Sequence, residues 1–202
     1  MSGFSRRFAR DKEGSVAVEF AFLAPVLLLL TFGLIEAANY LYAGQKVKNA
    51  TFNILNIINL QENVSTEQLE AITEIVPQVA EPIRLPDDDY QVIVTAMQLD
   101  RLPAEQGEYD GPYVLWQESH GGALAESRFD FTDGASRDTN AVDPADVNSF
   151  VFARGDQLIA IEVFARYGAL LASSFIGAQD FSVFATSRPR KGAFQFRPDE
   201  IR

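Results

Sequence analysis

The chain has 202 residues, 47% of them hydrophobic, with 28 acidic and 17 basic side chains, one histidine and no cysteine. That length buries one good core with an appended helix. A net charge of −11 repels phosphate backbones and argues against a nucleic-acid partner, and the lack of cysteine excludes disulfides, a thiol nucleophile and Cys-based zinc or iron–sulfur sites.

Charge is distributed unevenly from the first residues. Arg6, Arg7, Arg10 and Lys12 stand against Asp11 and Glu13, so residues 1–14 carry +2 and the rest of the chain −13. An apolar stretch follows, SVAVEFAFLAPVLLLLTFGLIEAANYLYAG, in which Phe20 to Ile35 is uncharged. With its flanks, at about 1.5 Å per residue, this stretch exceeds a hydrocarbon core of about 30 Å. Pro25 is compatible with a membrane helix. The basic N-terminal flank predicts an N-in, C-out orientation, with Tyr40 and Tyr42 as interfacial aromatics and residues 43–202 outside the cytoplasm. A cleavable secretory signal fits poorly, because the nearest site, Glu36-Ala37-Ala38, puts an acid at −3. Arg6-Arg7 does not make a twin-arginine signal, since Asp11 and Glu13 precede the apolar run. A buried core helix and a plain uncleaved anchor are the remaining alternatives.

One feature speaks against the plain anchor. Glu19 sits inside the start of the apolar run, five positions after Gly14, and a carboxylate in a membrane helix is costly enough to be a functional candidate. Were the chain cut after Gly14, Ser15 would bear a new ammonium group one helical turn from Glu19 on the same face. That pairing matters most in a low-dielectric setting.

Gly14-Ser15-Val16-Ala17-Val18-Glu19-Phe20-Ala21-Phe22-Leu23-Ala24-Pro25, behind a short basic leader, resembles the class III signal peptides of type IV pilins and pseudopilins. More specifically, it looks like the opening of TadE-like proteins, minor pseudopilins of the tight-adherence (Flp, type IVc) pilus system. Asp156 to Val163, Tyr167 and Ser187-Arg188-Pro189-Arg190 resemble that family's closing strands and terminal Arg-Pro-Arg. Many such proteins carry a cysteine pair outside the membrane, which this chain lacks. The resemblance implies a pilin-like fold, cleavage after Gly14 by an inner-membrane prepilin peptidase, and a pairing role in assembly for Glu19. It implies as partners other pilins or pseudopilins, the pilus assembly platform and membrane lipid. The expected location is the bacterial inner membrane, single-pass, with the N-terminus cytoplasmic and the C-terminal domain periplasmic or carried into a surface pilus.

Beyond the membrane segment, Ala43 to Leu60 contains no proline. Asn49, Asn53, Asn56, Asn59 and Asn63 form a polar stripe opposite Val47, Ala50, Ile54, Ile57 and Ile58, so one helix from about Ser15 to Leu60 is expected, its outer half laid on a folded domain. Ser65-Thr66-Glu67-Gln68 fits a capping box opening a helix with Leu69, Ile72, Val76 and Val79 on one face, ended or bent by Pro77. The period then changes to two. Tyr90–Leu99, Pro112–Gln117, Gln157–Arg166 and a run marked by Phe181, Val183 and Ala185 are expected as strands of an antiparallel sheet packed on the helix. Leu170–Gly177 is expected as a turn of helix between the last two strands.

Ser119-His120-Gly121-Gly122 and the polar stretch Glu118–Asp146 are expected as loop. His120 would have to serve any Ser-His-Asp hydrolase. Asp130, Asp133, Asp138, Asp143 and Asp146 fail the spacing of a calcium loop, with Thr132 and Gly134 where ligands belong. Asp87-Asp88-Asp89 suits the charged start of a strand better than a metal site. No spacing singles out a carboxylate pair for glycoside hydrolysis and no phosphate-cradling glycine loop is present. The expectation is therefore a non-enzymatic α+β protein without catalytic residues, metal or cofactor. It divides into a leader (1–14), a transmembrane segment (15–42), an amphipathic continuation of the helix (43–64) and an extracytoplasmic domain (65–202). The alternative function is an uncleaved single-span binding or sensing module.

Overall fold

In the computed structural model, residues 12–80, 87–99, 111–147, 153–169, 177–190 and 195–197 are described. Helix α1, Lys12–Asn59, runs unbroken for 48 residues, a length of about 72 Å at 1.5 Å per residue. It passes through Pro25 and through Gly44, whose missing side chain lets the Phe181 ring approach; a Cβ there would lie 3.1 Å from that ring. The helix stops at Asn59, where Leu60 and Gln61 donate tighter bonds back to the Ile57 and Ile58 carbonyls, and the amide of Arg190 caps the Asn59 carbonyl.

Strand β1 (Asn63–Ser65) leads into helix α2 (Thr66–Thr73) and helix α3 (Ile75–Ala80). The capping box is present, with the Ser65 hydroxyl accepting from the Gln68 amide at 3.2 Å and the Gln68 side chain accepting from the Ser65 amide at 3.1 Å. Contrary to expectation, Pro77 neither ends nor bends α2. The break falls earlier, at Glu74, and Pro77 sits in the first turn of α3, where a missing amide proton removes no helix bond. Leu69 and Val76 are buried.

The sheet is antiparallel with the order β3–β2–β4–β5, from β2 (Tyr90–Gln98), β3 (Tyr113–Gly121), β4 (Gln157–Tyr167) and β5 (Gln179–Ser187). A 3₁₀ turn at Asp87–Asp89 precedes β2. A short strand β6 (Gln195–Arg197) pairs in parallel with β1, a pairing that no local pattern announced. The fold is thus α+β, a long N-terminal helix on a four-stranded antiparallel sheet, as the period change implied.

Two expectations are corrected. His120 and Gly121 belong to β3, which runs four residues beyond Gln117. Gly121 takes a positive φ of 87°, and a Cβ there would lie 2.5 Å from the Tyr90 carbonyl, so the chain needs glycine where it leaves the sheet. The polar-stripe assignment also fails at Asn59, which is buried at the end of the helix, where its carbonyl accepts from the Arg190 amide. The expected helical turn at Leu170–Gly177 falls, but for Gly177, outside the described residues.

Both faces of the sheet are covered. On one, Val92, Val94, Ile159, Ile161 and Val163 pack with Val47, Ile54 and Ile58 of α1 and with Leu69 and Val76. On the other, Met97, Val114, Leu158 and Ala160 pack with Phe129 and Val142 of the segment after β3. That segment is fastened by polar side chains rising from the sheet. Gln91 Oε1 accepts from the Leu124 and Ala125 amides, at 2.8 and 2.9 Å. The buried Glu162 carboxylate accepts from the Ser127 hydroxyl and from the Arg128 amide and guanidinium. Arg128 also stacks over the Phe184 ring at 3.9 Å.

Candidate functional site

Gly14, Ser15 and Glu19 all lie in the first turns of α1. Helical geometry places the Ser15 amide one turn before Glu19, a rise of about 6 Å, and Glu19 is exposed. From Val16 to Ile35 the large apolar side chains are all exposed, between 44% at Ile35 and 75% at Phe22. No part of the domain covers them. One helix is therefore long and apolar enough to cross a membrane. Along it, Thr31 Oγ1 donates back to the Leu27 carbonyl at 2.8 Å, keeping its hydroxyl satisfied within the apolar run.

The exposed run ends at a built seat. Glu36 is buried although it lies in the apolar segment, and its carboxylate accepts a hydrogen bond of 2.7 Å from the Tyr167 hydroxyl at the end of β4. Burial first, then the hydrogen bond and charge of Glu36, push the Tyr167 phenol up to about 12. Tyr40 packs edge-on against Tyr167 at 5.7 Å and stacks on Phe181 of β5 at 4.8 Å. Tyr42, the second aromatic expected at the interface, stays exposed with the Lys46 ammonium 5.2 Å from its ring. In the sequence Glu36 stood out only as the acid at −3 of a poor cleavage site, within the expected transmembrane segment. Its bond to a partner 131 residues away was not legible there.

A second feature is a cleft of about 390 Å³ between α2, α3 and the start of β2, lined by Glu70, Glu74, Asp88, Tyr90 and His120 among others. Burial holds the His120 imidazole below its ordinary 6.5, partly opposed by Glu118 and Glu70. Its neighbour Ser119 accepts a bond from the Gln91 side chain at 3.1 Å and is thereby engaged across the sheet. Among the described residues no three His, Asp or Glu side chains converge as around a metal ion. In the segment considered for calcium, Asp143 Oδ1 accepts from the Ala145 amide and Asn140 Oδ1 from the Thr132 amide, which organises the loop itself.

Residues 14–53 match the family model described as TadE-like protein. The match begins at the glycine singled out as the cleavage position, covers Glu19, the exposed run and the Glu36 seat, and ends inside the half of α1 that lies on the sheet; residues 156–190 fall outside it. No curated protein and no solved structure matches the chain. A TadE-like segment suggests a protein associated with tight-adherence pili.

Proposed function

We propose that this protein is a minor pseudopilin of a tight-adherence pilus, cut after Gly14 by a prepilin peptidase and anchored by residues 15–42 in the inner membrane with its sheet domain in the periplasm. The observation that carries this reading is the division of α1. Its N-terminal half, where the TadE-like match begins, leaves every large apolar side chain from Val16 to Ile35 uncovered while its C-terminal half is built into a domain. Such a helix can pack against lipid or against like helices without disturbing its own domain. In the cut chain the Ser15 ammonium and the Glu19 carboxylate lie one turn apart, so each can neutralise the other within the chain or across a helix bundle. The pairing sets the axial register of one subunit against the next, because the charge is stable in the apolar bundle only where its partner meets it.

Glu19→Leu tests this directly. The substitution removes an acid from the apolar segment and favours insertion by up to about 3 kcal/mol, so a plain anchor keeps its activity. In the pseudopilin reading the same change strands the Ser15 ammonium, and piliation fails while protein level and domain fold remain normal. Glu19→Asp retains partial function. Full piliation by Glu19→Leu cells, in a strain where deletion of the whole protein abolishes pili, overturns the charge-pairing role.

A further inference from the structure

Above its apolar run, α1 keeps one face that the domain leaves uncovered. Leu41, Gln45, Lys48 and Phe52 follow at spacings of four and three and are all exposed. Among the described residues, the large apolar side chains left exposed lie on α1 or, at Leu60, just past its end. Charge divides the same way. Residues 37–61 hold Lys46 and Lys48 and no acid, whereas residues 62–202 hold 24 acids against 11 bases. Lys46 leans over the Tyr42 ring, and Lys48 makes no ion pair among the described residues.

The surface of opposite sign is the cleft beside His120. Glu70, Glu74 and Gln78 recur every fourth residue through α2 and α3 and are exposed on its rim, and the turn before β2 adds Asp88. Among the described residues none of these three carboxylates forms an ion pair, and the buried Nε2 of His120 has no hydrogen-bond partner. An acidic opening of about 390 Å³ with an unmet polar atom in its wall suits an ammonium group, a compact charge with three donors.

Two copies anchored in one membrane stand the same way up, so only surfaces at matching heights can meet. Height is counted from Glu36, which Tyr167 holds level with the end of β4. Up the helix, at about 1.5 Å per residue, Asn59 lies about 35 Å above it. Up β5 from Gln179, the partner of Tyr167, about 3.3 Å per residue puts Arg190 at about 36 Å. Arg190 does bond Asn59, so helix and strands share one scale. On that scale Lys46 and Lys48 lie at about 15 and 18 Å. The cleft lies at about 7 Å where Tyr90 pairs with Ala165, and at about 13 Å where His120 pairs through Val92 to Val163. A lysine's four-carbon stem spans the difference. The two surfaces also sit on opposite flanks, since α1 lies against β4 and β5 while the cleft opens beside the edge strand β3.

We propose that neighbouring copies of this chain dock head to tail outside the membrane, the Lys48 ammonium of one, with Lys46 beside it, entering the Glu70–Glu74–Asp88 cleft of the next. This docking rests on the membrane-anchored reading above, which gives the copies their common height. Because the two faces differ, the contact does not close on a two-fold axis and can repeat from copy to copy. Leu41 and Phe52 flank the lysine on the same face and lose water in the same contact.

The chain has no cysteine, so a pair of introduced cysteines reports the contact without background. Two tagged forms of the full chain are co-expressed, one with Gln45→Cys beside the lysines and one with Gln78→Cys on the cleft rim, and their membranes are oxidised. A disulfide-linked dimer carrying both tags is expected. Lys48→Glu added to the first form lowers its yield by up to about fivefold, the range of an exposed ion pair, and Glu74→Lys added to the second form restores it. Absence of the mixed dimer, or a yield that Lys48→Glu leaves unmoved, overturns the contact. So does more Gln45→Cys self-dimer than mixed dimer, which signals two helices face to face. Failure of the anchoring reading shows separately, because both forms would then leave the membrane fraction on carbonate washing, and the docking would fall with it.

Discussion

Residues 16–35 and 43–59 belong to one helix with the same backbone geometry, yet their apolar side chains have opposite fates. In the first stretch Leu28 and Leu29 are 55% and 72% exposed; in the second Ile54 and Ile58 are fully buried. Local sequence explains part of this. The first stretch is apolar all round but for Glu19, the pattern of a helix that can face lipid, and the second keeps Asn49, Asn53 and Asn56 outward while Val47, Ala50 and Ile54 face the sheet. The boundary between them is chemical, a buried carboxylate bonded to a tyrosine. The lesson is that a continuous helix can serve two solvents, provided one fixed contact tells the domain where its share begins.

The comparison is broken most strongly by removing packing from the buried half. Ile54→Ala is expected to lower domain stability by about 2–5 kcal/mol, the usual loss for a fully buried isoleucine, whereas Leu28→Ala leaves it within about 0.5 kcal/mol. Urea unfolding of the full chain in detergent micelles, followed by the single Trp116, measures both, and equal losses would show that the two halves are not distinct environments. Next in size is the sheet face turned away from the helix. Glu162→Ala leaves the Ser127 hydroxyl and the Arg128 amide without their acceptor, with an expected loss of about 1–3 kcal/mol. Glu162→Gln, which keeps one acceptor oxygen, loses less in the same assay.

A smaller effect sharpens the boundary itself. Tyr167→Phe removes the bond to Glu36 at an expected loss of about 1 kcal/mol. The phenol's folded value is raised, so its contribution is complete below pH 10, the ordinary value of tyrosine, and is lost as the pH climbs through about 12. The wild-type chain should therefore lose stability across that window more steeply than Tyr167→Phe, and identical slopes would remove the bond from the account. The smallest effect concerns His120, which gives the chain's one imidazole resonance. Its folded value is lowered by burial, so the neutral form is favoured and stability declines as the pH falls below 6.5. An NMR titration midpoint below 6.5 is expected, and one at or above it would show the cleft to be more open than drawn.

Much of this architecture was legible because it is local. The apolar run and the proline-free stretch Ala43–Leu60 after it set the helix to within three residues at its start and one at its end, and alternation located the four long strands. Gly14 and Glu19 could be singled out because five residues carry that signal. What escaped depends on distant partners. Strands β1 and β6 are three residues each and pair across the whole domain, too short for any period to register. The layer over the second sheet face rests on Phe129 and Val142, which stand singly in a polar stretch. A hint did exist in β4, where Leu158, Ala160 and Phe164 make the second face apolar too, as in a strand covered on both sides. His120 and Gly121 passed for loop because two glycines follow one another, although the first of them marks a close approach to Tyr90 at the end of a strand.

The central claim, that this is a processed pseudopilin, meets its most direct test at the N-terminal residue of the mature protein isolated from membranes. Mass spectrometry is expected to find Ser15, with Arg6, Arg7, Arg10 and Lys12 gone, and Gly14→Leu to abolish the cut. An intact Met1, or a new end near Ala38, would contradict the account.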